Sequence, residues 1–300
     1  MGRMQVIYVT GYGRSGSTML DIALGQHPEI FGAGEIATMC RHVWVNDEYC
    51  ACRKRIQSCD VWAPIMHQWM ADGGDISAYV ALQKKIEPLI SFDRMRRSAA
   101  LSDYIQLTEK FFQVIAEKTG KSTIVDSSKM PGRGLALTQL NEIDLSVIHL
   151  VRDARGVSHS MAKPIPLDVK SGVQKKIAGK AHVRTALRWR VYNSVAEALL
   201  KKVGPERGVT VRYEDLTLKP YEEMKRIGAV AHVNLDSIGE QLDKQEPLRS
   251  GHQMAGGRVR MSENPVWKFN ATWTDDMAPA AQNRVRRITW DQLRRYGYDV

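Results

Sequence analysis

Apolar positions along the chain follow two periods. Short β-rich runs recur at Gln5–Thr10, Thr123–Asp126, Ser146–Val151 and Val209–Tyr213, with a briefer one at Ile30–Ala33. Bounded by Gly or polar residues, they predict strands. Between them the spacing changes to that of helices with one apolar face. Ser17–Gln26 places Met19, Leu20, Ala23 and Leu24 on one side. Tyr104–Lys118, Gly132–Asn141, His182–Val203 and Tyr221–Val230 read the same way. A last helix starts near Pro279, aligns Val285, Ile288 and Leu293, and stops near Gly297. Strands alternating with helices predict an α/β fold with a central, mostly parallel sheet flanked by helices. Residues from about 39 to 120 break the rhythm with a mostly helical pattern. They read as a helical insertion after the second strand, within a single domain spanning residues 1–300.

Composition adds exclusions. Apolar residues make up 43% and charged residues 25% of 300, ordinary for a globular chain that needs no disulfide staples. The longest apolar run, Ala78–Leu82, is far too short to span a membrane. Met1–Val9 lacks the pattern of a secretory signal, so the expected compartment is the cytoplasm.

The net charge of +10 is concentrated: Arg152 to Arg190 holds ten Lys or Arg against two Asp. A one-sign segment of this kind suits a ligand carrying several negative charges. No helix-turn-helix, zinc-finger or RNP pattern accompanies it, so nucleic acid is not the expected partner. Cys40, Cys50, Cys52 and Cys59 crowd into twenty residues. Their spacing departs from the paired C-x-x-C of zinc sites, and the candidate histidines nearby are His42 and His67. The expectation is a buried or locally cross-linked loop without metal, its thiols free in a reducing compartment.

The strongest local signal is Gly11-Tyr-Gly-Arg-Ser-Gly-Ser-Thr18, between a strand and a helix. That order aims backbone N–H groups and the positive end of a helix at an anion. The spacing Gly11-x4-Gly16-x-Thr18 is that of a nucleotide phosphate loop, but Ser17 occupies the position of its Lys. A kinase or NTPase, the alternative reading, needs that Lys on the β- and γ-phosphates. Arg14 supplies charge from within the loop instead. A second anion site is expected at Arg152, where the Ser146–Val151 strand ends.

Arg14-Ser-Gly-Ser-Thr18 resembles the 5′-phosphosulfate loop of sulfotransferases that use 3′-phosphoadenosine 5′-phosphosulfate (PAPS). His149–Ser160 is similar to that family's 3′-phosphate segment, with Arg152 and Ser160 at the matching positions. Arg212-Tyr-Glu-Asp-Leu216 resembles the strand-end motif whose Tyr lies near the nucleotide, here Tyr213. Gly34-Glu35 resembles the tyrosylprotein and bacterial branches, in which that Glu is the catalytic base. The resemblance implies a P-loop-like domain that transfers a sulfuryl group from PAPS to an acceptor hydroxyl without a metal.

Arg14, Ser15, Gly16, Ser17 and Thr18 would hold the 5′ end of the donor, and Arg152 and Ser160 its 3′-phosphate. Glu35 would be the general base, while Lys129 and Arg14 would neutralise charge on the bridging oxygen. Ser127 and Ser128 are expected in a turn. In the loop Gly256-Gly-Arg-Val-Arg260, Arg258 and Arg260 are both candidates for the 3′-phosphate. The acceptor is expected to be a small molecule, carbohydrate or lipid. The insertion and the Lys163–Lys180 loop are expected to shape its pocket.

Overall fold

The computed structural model describes residues 4–88, 98–170, 172–174 and 176–300. Five strands form one parallel sheet: β1 (Gln5–Thr10), β2 (Ile30–Gly32), β3 (Thr123–Lys129), β4 (Asp144–Val151) and β5 (Gly208–Arg212), in the order β2-β3-β1-β4-β5. Strand β1 is therefore central and flanked on both sides, which matches its fully buried QVIYVT sequence. The described helices are α1 (Ser17–Leu24), α2 (Trp62–Ala71), α3 (Ile76–Ile86), α4 (Ala99–Thr119), α5 (Pro131–Leu137) and α6 (Ala154–Ala162), followed by α7 (His182–Val203), α8 (Tyr213–Leu218), α9 (Pro220–Ala231), α10 (Asp236–Asp243), α11 (Trp273–Asp276) and α12 (Pro279–Arg295).

Alternation along β1 sorts its side chains into two cores. Val6 and Tyr8 pack with Trp62, Trp69, Phe111 and Phe112 of the helical insertion. Ile7 and Val9 pack with Leu20 of α1, Met224 of α9 and Ile238 of α10. A third cluster, with Tyr12, Val151, Trp189 and Val285, joins α6, α7 and α12 beyond the ends of β1 and β4. The described residues between 39 and 120 thus lie in the connection between β2 and β3 and pack on one face of the sheet.

Several boundaries differ from expectation: helix α4 starts at Ala99 rather than Tyr104, and two further differences bear on the site. Strand β3 continues three residues past Asp126, so Ser127 and Ser128 are buried and extended rather than in a turn. The backbone holds them there: Ala33 N–H donates to Val125 O (3.2 Å) and Ser127 N–H to Gly34 O (2.9 Å). Because these residues are polar, no apolar pattern marks the extension. Helix α5 ends at Leu137 rather than Asn141, as the amides of Gln139 and Leu140 turn back onto Ala136 and Leu137 carbonyls.

Candidate active site

The C-terminal ends of β1, β3 and β4 converge on one cavity of about 390 Å³. Ligands of open parallel sheets bind at this end, where connections diverge from the central strand. Arg14, Gly16, Ser17, Thr18, Glu35, Lys129, Arg152 and Ser160 all line it, together with Gly256 and Gly257. Five separate stretches of the sequence are thereby brought to one place.

The loop after β1 is shaped by two glycines. Gly11 has φ 125°, and a Cβ there would lie 2.3 Å from Leu150 O. Gly16, the residue before α1, has φ 95°, and its Cβ would lie 2.8 Å from the Tyr213 ring. Tyr213 thus packs against the loop, while its own ring stacks on Phe269 and carries Arg152 4.3 Å above it. Helix α1 has no side-chain cap and no acid in its first turn, so its leading N–H groups and positive end are left to the cavity. Ser15 is buried and donates to Tyr12 O (2.8 Å), which stiffens the loop from within instead of facing the cavity.

Arg14 has a left-handed backbone (φ 69°), and its Nε donates to Ser160 Oγ (3.0 Å). Arg152 donates to Arg14 O (3.1 Å) and Asn270 O (2.8 Å). Burial, then the charges of Arg258 and Arg152, pull the Arg14 pKa below the usual arginine value. These cations therefore crowd one another with no carboxylate between them among the described residues, a strained arrangement that an anion would relieve. Asp153, the acid beside Arg152, pairs instead with Arg155 (2.7 Å).

On the opposite side Lys129 Nζ meets Glu35 Oε1 at 2.8 Å and Ser127 O at 2.5 Å. Tyr8 pairs with Asp126 while Thr10 pairs with Lys129, so β3 bulges where it leaves β1. A bulge re-aims the side chain that follows it. Lys129 then adopts φ 62°, a conformation uncommon outside glycine. Glu35 is fixed through its backbone, whose N–H donates to Met254 O (3.1 Å).

Behind it lies a residue that the sequence pattern did not single out. Asp21 of α1 is fully buried and accepts the Gly34 N–H (3.0 Å). Burial raises its pKa to about 7, despite hydrogen bonds from Ser127 and Gly34. Asp on the inward face of a short apolar helix was the available signal.

The basic loop divides. Gly257 N–H donates to Thr18 Oγ1 (2.9 Å), tying the loop to α1. Arg258 is exposed and close enough to Arg14 to influence its ionisation. Arg260 is buried and donates to Tyr49 O (2.9 Å), away from the cavity. The 3₁₀ turn Arg258–Met261 rotates successive side chains by a third of a turn, so two arginines two apart cannot share a side. The expected phosphate contact of Arg260 is dropped on that ground. Trp189 is buried in the third core and Trp273 packs against it.

The four cysteines are free thiols and, Cys52 apart, buried, in keeping with the expected loop. His42 pairs with Glu48 (2.8 Å) and His67 packs edge-on to Trp44, so neither joins them. The histidine that does is His252, from the segment that leads into the basic loop.

The sequence profile of the sulfotransferase family matches residues 6–237. No protein of curated function matches the chain. Among solved structures, the sulfotransferase domain from the curacin biosynthetic pathway is 18% identical, with all of both chains covered and a TM-score of 0.52. A sulfotransferase from Mycobacterium avium is 12% identical over all of this chain and 79% of its own, with a TM-score of 0.53. At these identities the likeness is one of fold, and it agrees with the parallel sheet. Among the described residues no helix is long and apolar enough to cross a membrane. On the extent of the profile match, the chain belongs to the sulfotransferase family.

Proposed function

We propose that the cavity binds PAPS and that the protein moves its sulfuryl group to a hydroxyl of a small-molecule, carbohydrate or lipid acceptor. The observation that carries this reading is the division of one cavity into two parts. Among the described lining residues, Arg14 and Arg152 have no acid partner, with Arg258 close enough to act on Arg14, and one acid–base pair, Glu35 with Lys129, shares the cavity. A donor with a phosphate on the 3′ side and a phosphosulfate on the 5′ side fits that division.

The resemblance, together with these positions, supports a role for each residue. The Arg14–Thr18 loop and the start of α1 supply N–H groups and charge to the 5′-phosphosulfate. Arg152 grips the 3′-phosphate with its planar fork, and Ser160, bonded to Arg14, adds a neutral donor. Arg258 approaches from the loop that Thr18 anchors. Glu35 accepts the proton of the acceptor hydroxyl as its oxygen bonds to sulfur. Lys129 neutralises the oxygen released as the old S–O bond breaks. These two groups contact each other at 2.8 Å, so Lys129 must turn from Glu35 toward the sulfuryl group before both can act. Catalysis is then positioning plus charge stabilisation, as in phosphoryl transfer.

Sulfur-labelled PAPS and γ-labelled ATP with Mg²⁺, each incubated with the protein and a panel of hydroxyl acceptors, test the reading. Label moving from PAPS alone is expected. Transfer from ATP, with none from PAPS across the panel and no stabilisation by the desulfated product PAP, would overturn it.

A further inference from the structure

Away from the cavity, Cys50, Cys52, Cys59 and His252 place three sulfurs and one imidazole nitrogen within 4.8 Å of one another. We propose that these four residues form a structural zinc site that fastens the segment carrying the basic loop to the cysteine loop.

Donor chemistry and geometry carry it. Three thiolates and one imidazole are a closed zinc set, and Zn–S bonds of about 2.3 Å in a tetrahedron set sulfur–sulfur edges of roughly 3.8 Å. Cys52 and Cys59 sulfurs are 3.7 Å apart. His252 Nδ1 lies 3.7 Å from the Cys50 sulfur and 3.3 Å from that of Cys59. These lengths are close to tetrahedral edges, with the histidine contributing its shorter Zn–N bond.

The surroundings suit a charged centre. The Trp62 indole N–H fixes His252 through its carbonyl (2.6 Å). Such second contacts orient metal ligands. Three thiolates, one neutral imidazole and Zn²⁺ carry a net charge of −1, the three thiol protons leaving to solvent on binding. Arg260, buried and bonded to Tyr49 O (2.9 Å) one residue before Cys50, brings a cation near that charge, alongside the carboxylates of Glu48 and Glu35.

The position gives the site a purpose. The two residues after His252 hold the cavity's far wall: Gln253 O accepts the Ala51 N–H (3.1 Å), and Met254 pairs with Gly34 and anchors the Glu35 amide (3.1 Å). Zinc would thus brace Glu35 and the Gly256–Arg258 loop from behind, taking no part in the reaction.

The test uses the full chain purified under reducing conditions without added metal. Elemental analysis should return about one zinc per chain. Replacing zinc with Co²⁺ should give the visible bands and sulfur-to-cobalt charge transfer of a tetrahedral thiolate site. Removing zinc should lower Tm and speed amide exchange of residues 250–261, with zinc alone reversing both. His252→Ala should lose metal and the cobalt bands while PAP binding still reports a folded cavity.

Three results would overturn the site: under about a tenth of an equivalent of zinc with no cobalt spectrum; a Cys52–Cys59 disulfide in the purified protein; or His252→Ala that keeps full zinc content. If Cys or His variants fail to fold, the cobalt spectrum of the wild type still decides.

Discussion

Arg133 and Arg152 lie just past the ends of β3 and β4, and they are satisfied in opposite ways. Arg133 is completely buried; its Nε meets Asp126 at 2.8 Å, and its Nη1 meets Tyr104 at 2.7 Å and Glu87 at 3.5 Å. Glu87 is in turn held by Arg41, Gln83 and Tyr104. Arg152 donates to two backbone carbonyls and has no carboxylate partner among the described residues. A buried ion is tolerable only when matched inside the protein, whereas a cluster of cations lining an open cavity is matched by what enters it. The first arrangement holds α5 against β3 and so supports the strand that delivers Lys129. The second is a receptor for an anion.

The comparison breaks first on stability. Arg133→Met strands Asp126 and Glu87 and should cost about 3–5 kcal/mol in denaturant unfolding. Arg152→Ala should stay within about 0.5 kcal/mol of wild type. Equal losses would erase the distinction between a structural and a receptive arginine.

Glu35, the acid among the cavity's cations, sharpens it next. Glu35→Gln retains the shape without a proton acceptor, so kcat should fall about 10²–10⁴-fold while PAP affinity stays near wild type. An acceptor with a more acidic hydroxyl, such as a phenol, should lose less. A fall below about fivefold with chemistry rate-limiting would remove Glu35 from the role of base.

Asp21 gives a smaller effect with a definite sign. Its native pKa of about 7 lies above its unfolded value of roughly 3.9, so the folded state binds the proton more tightly. The stability this contributes is complete below about pH 4 and is lost as pH rises through 7. Asp21→Asn should therefore gain on wild type as pH rises, by about 2–3 kcal/mol between pH 5 and pH 8. Parallel stability curves for the two proteins would show that Asp21 is not protonated in the native state.

Much of this was legible in the sequence because it was local. The Gly11–Thr18 loop, Arg152 with Ser160, and Gly34-Glu35 each follow a β-rich run, and a strand end fixes where the next residues go. What escaped depends on distant partners. His252 lies 193 residues from Cys59, and no spacing rule reaches that far. The polar end of β3 is held by the Ala33 and Gly34 backbone rather than by an apolar pattern, so Ser127 and Ser128 read as a turn. Arg260 shares a basic loop with Arg258, and only the 3₁₀ turn separates their directions. Arg133 belongs to no motif in the sequence; the buried Asp126 and Glu87 around it come from other elements.

In the proposed function the cavity receives a nucleotide phosphorylated on its 3′ side, with Arg152 meeting that phosphate. Calorimetric titration of PAP and of 5′-AMP, which lacks the 3′-phosphate, into wild type and Arg152→Ala tests it most directly. Wild type should prefer PAP strongly, and the variant should lose about 10–100-fold of that preference, the worth of a hydrogen bond to a charged group. Binding of 5′-AMP should change little. If wild type and variant prefer PAP by the same factor, or if neither nucleotide binds, the account of the cavity is contradicted.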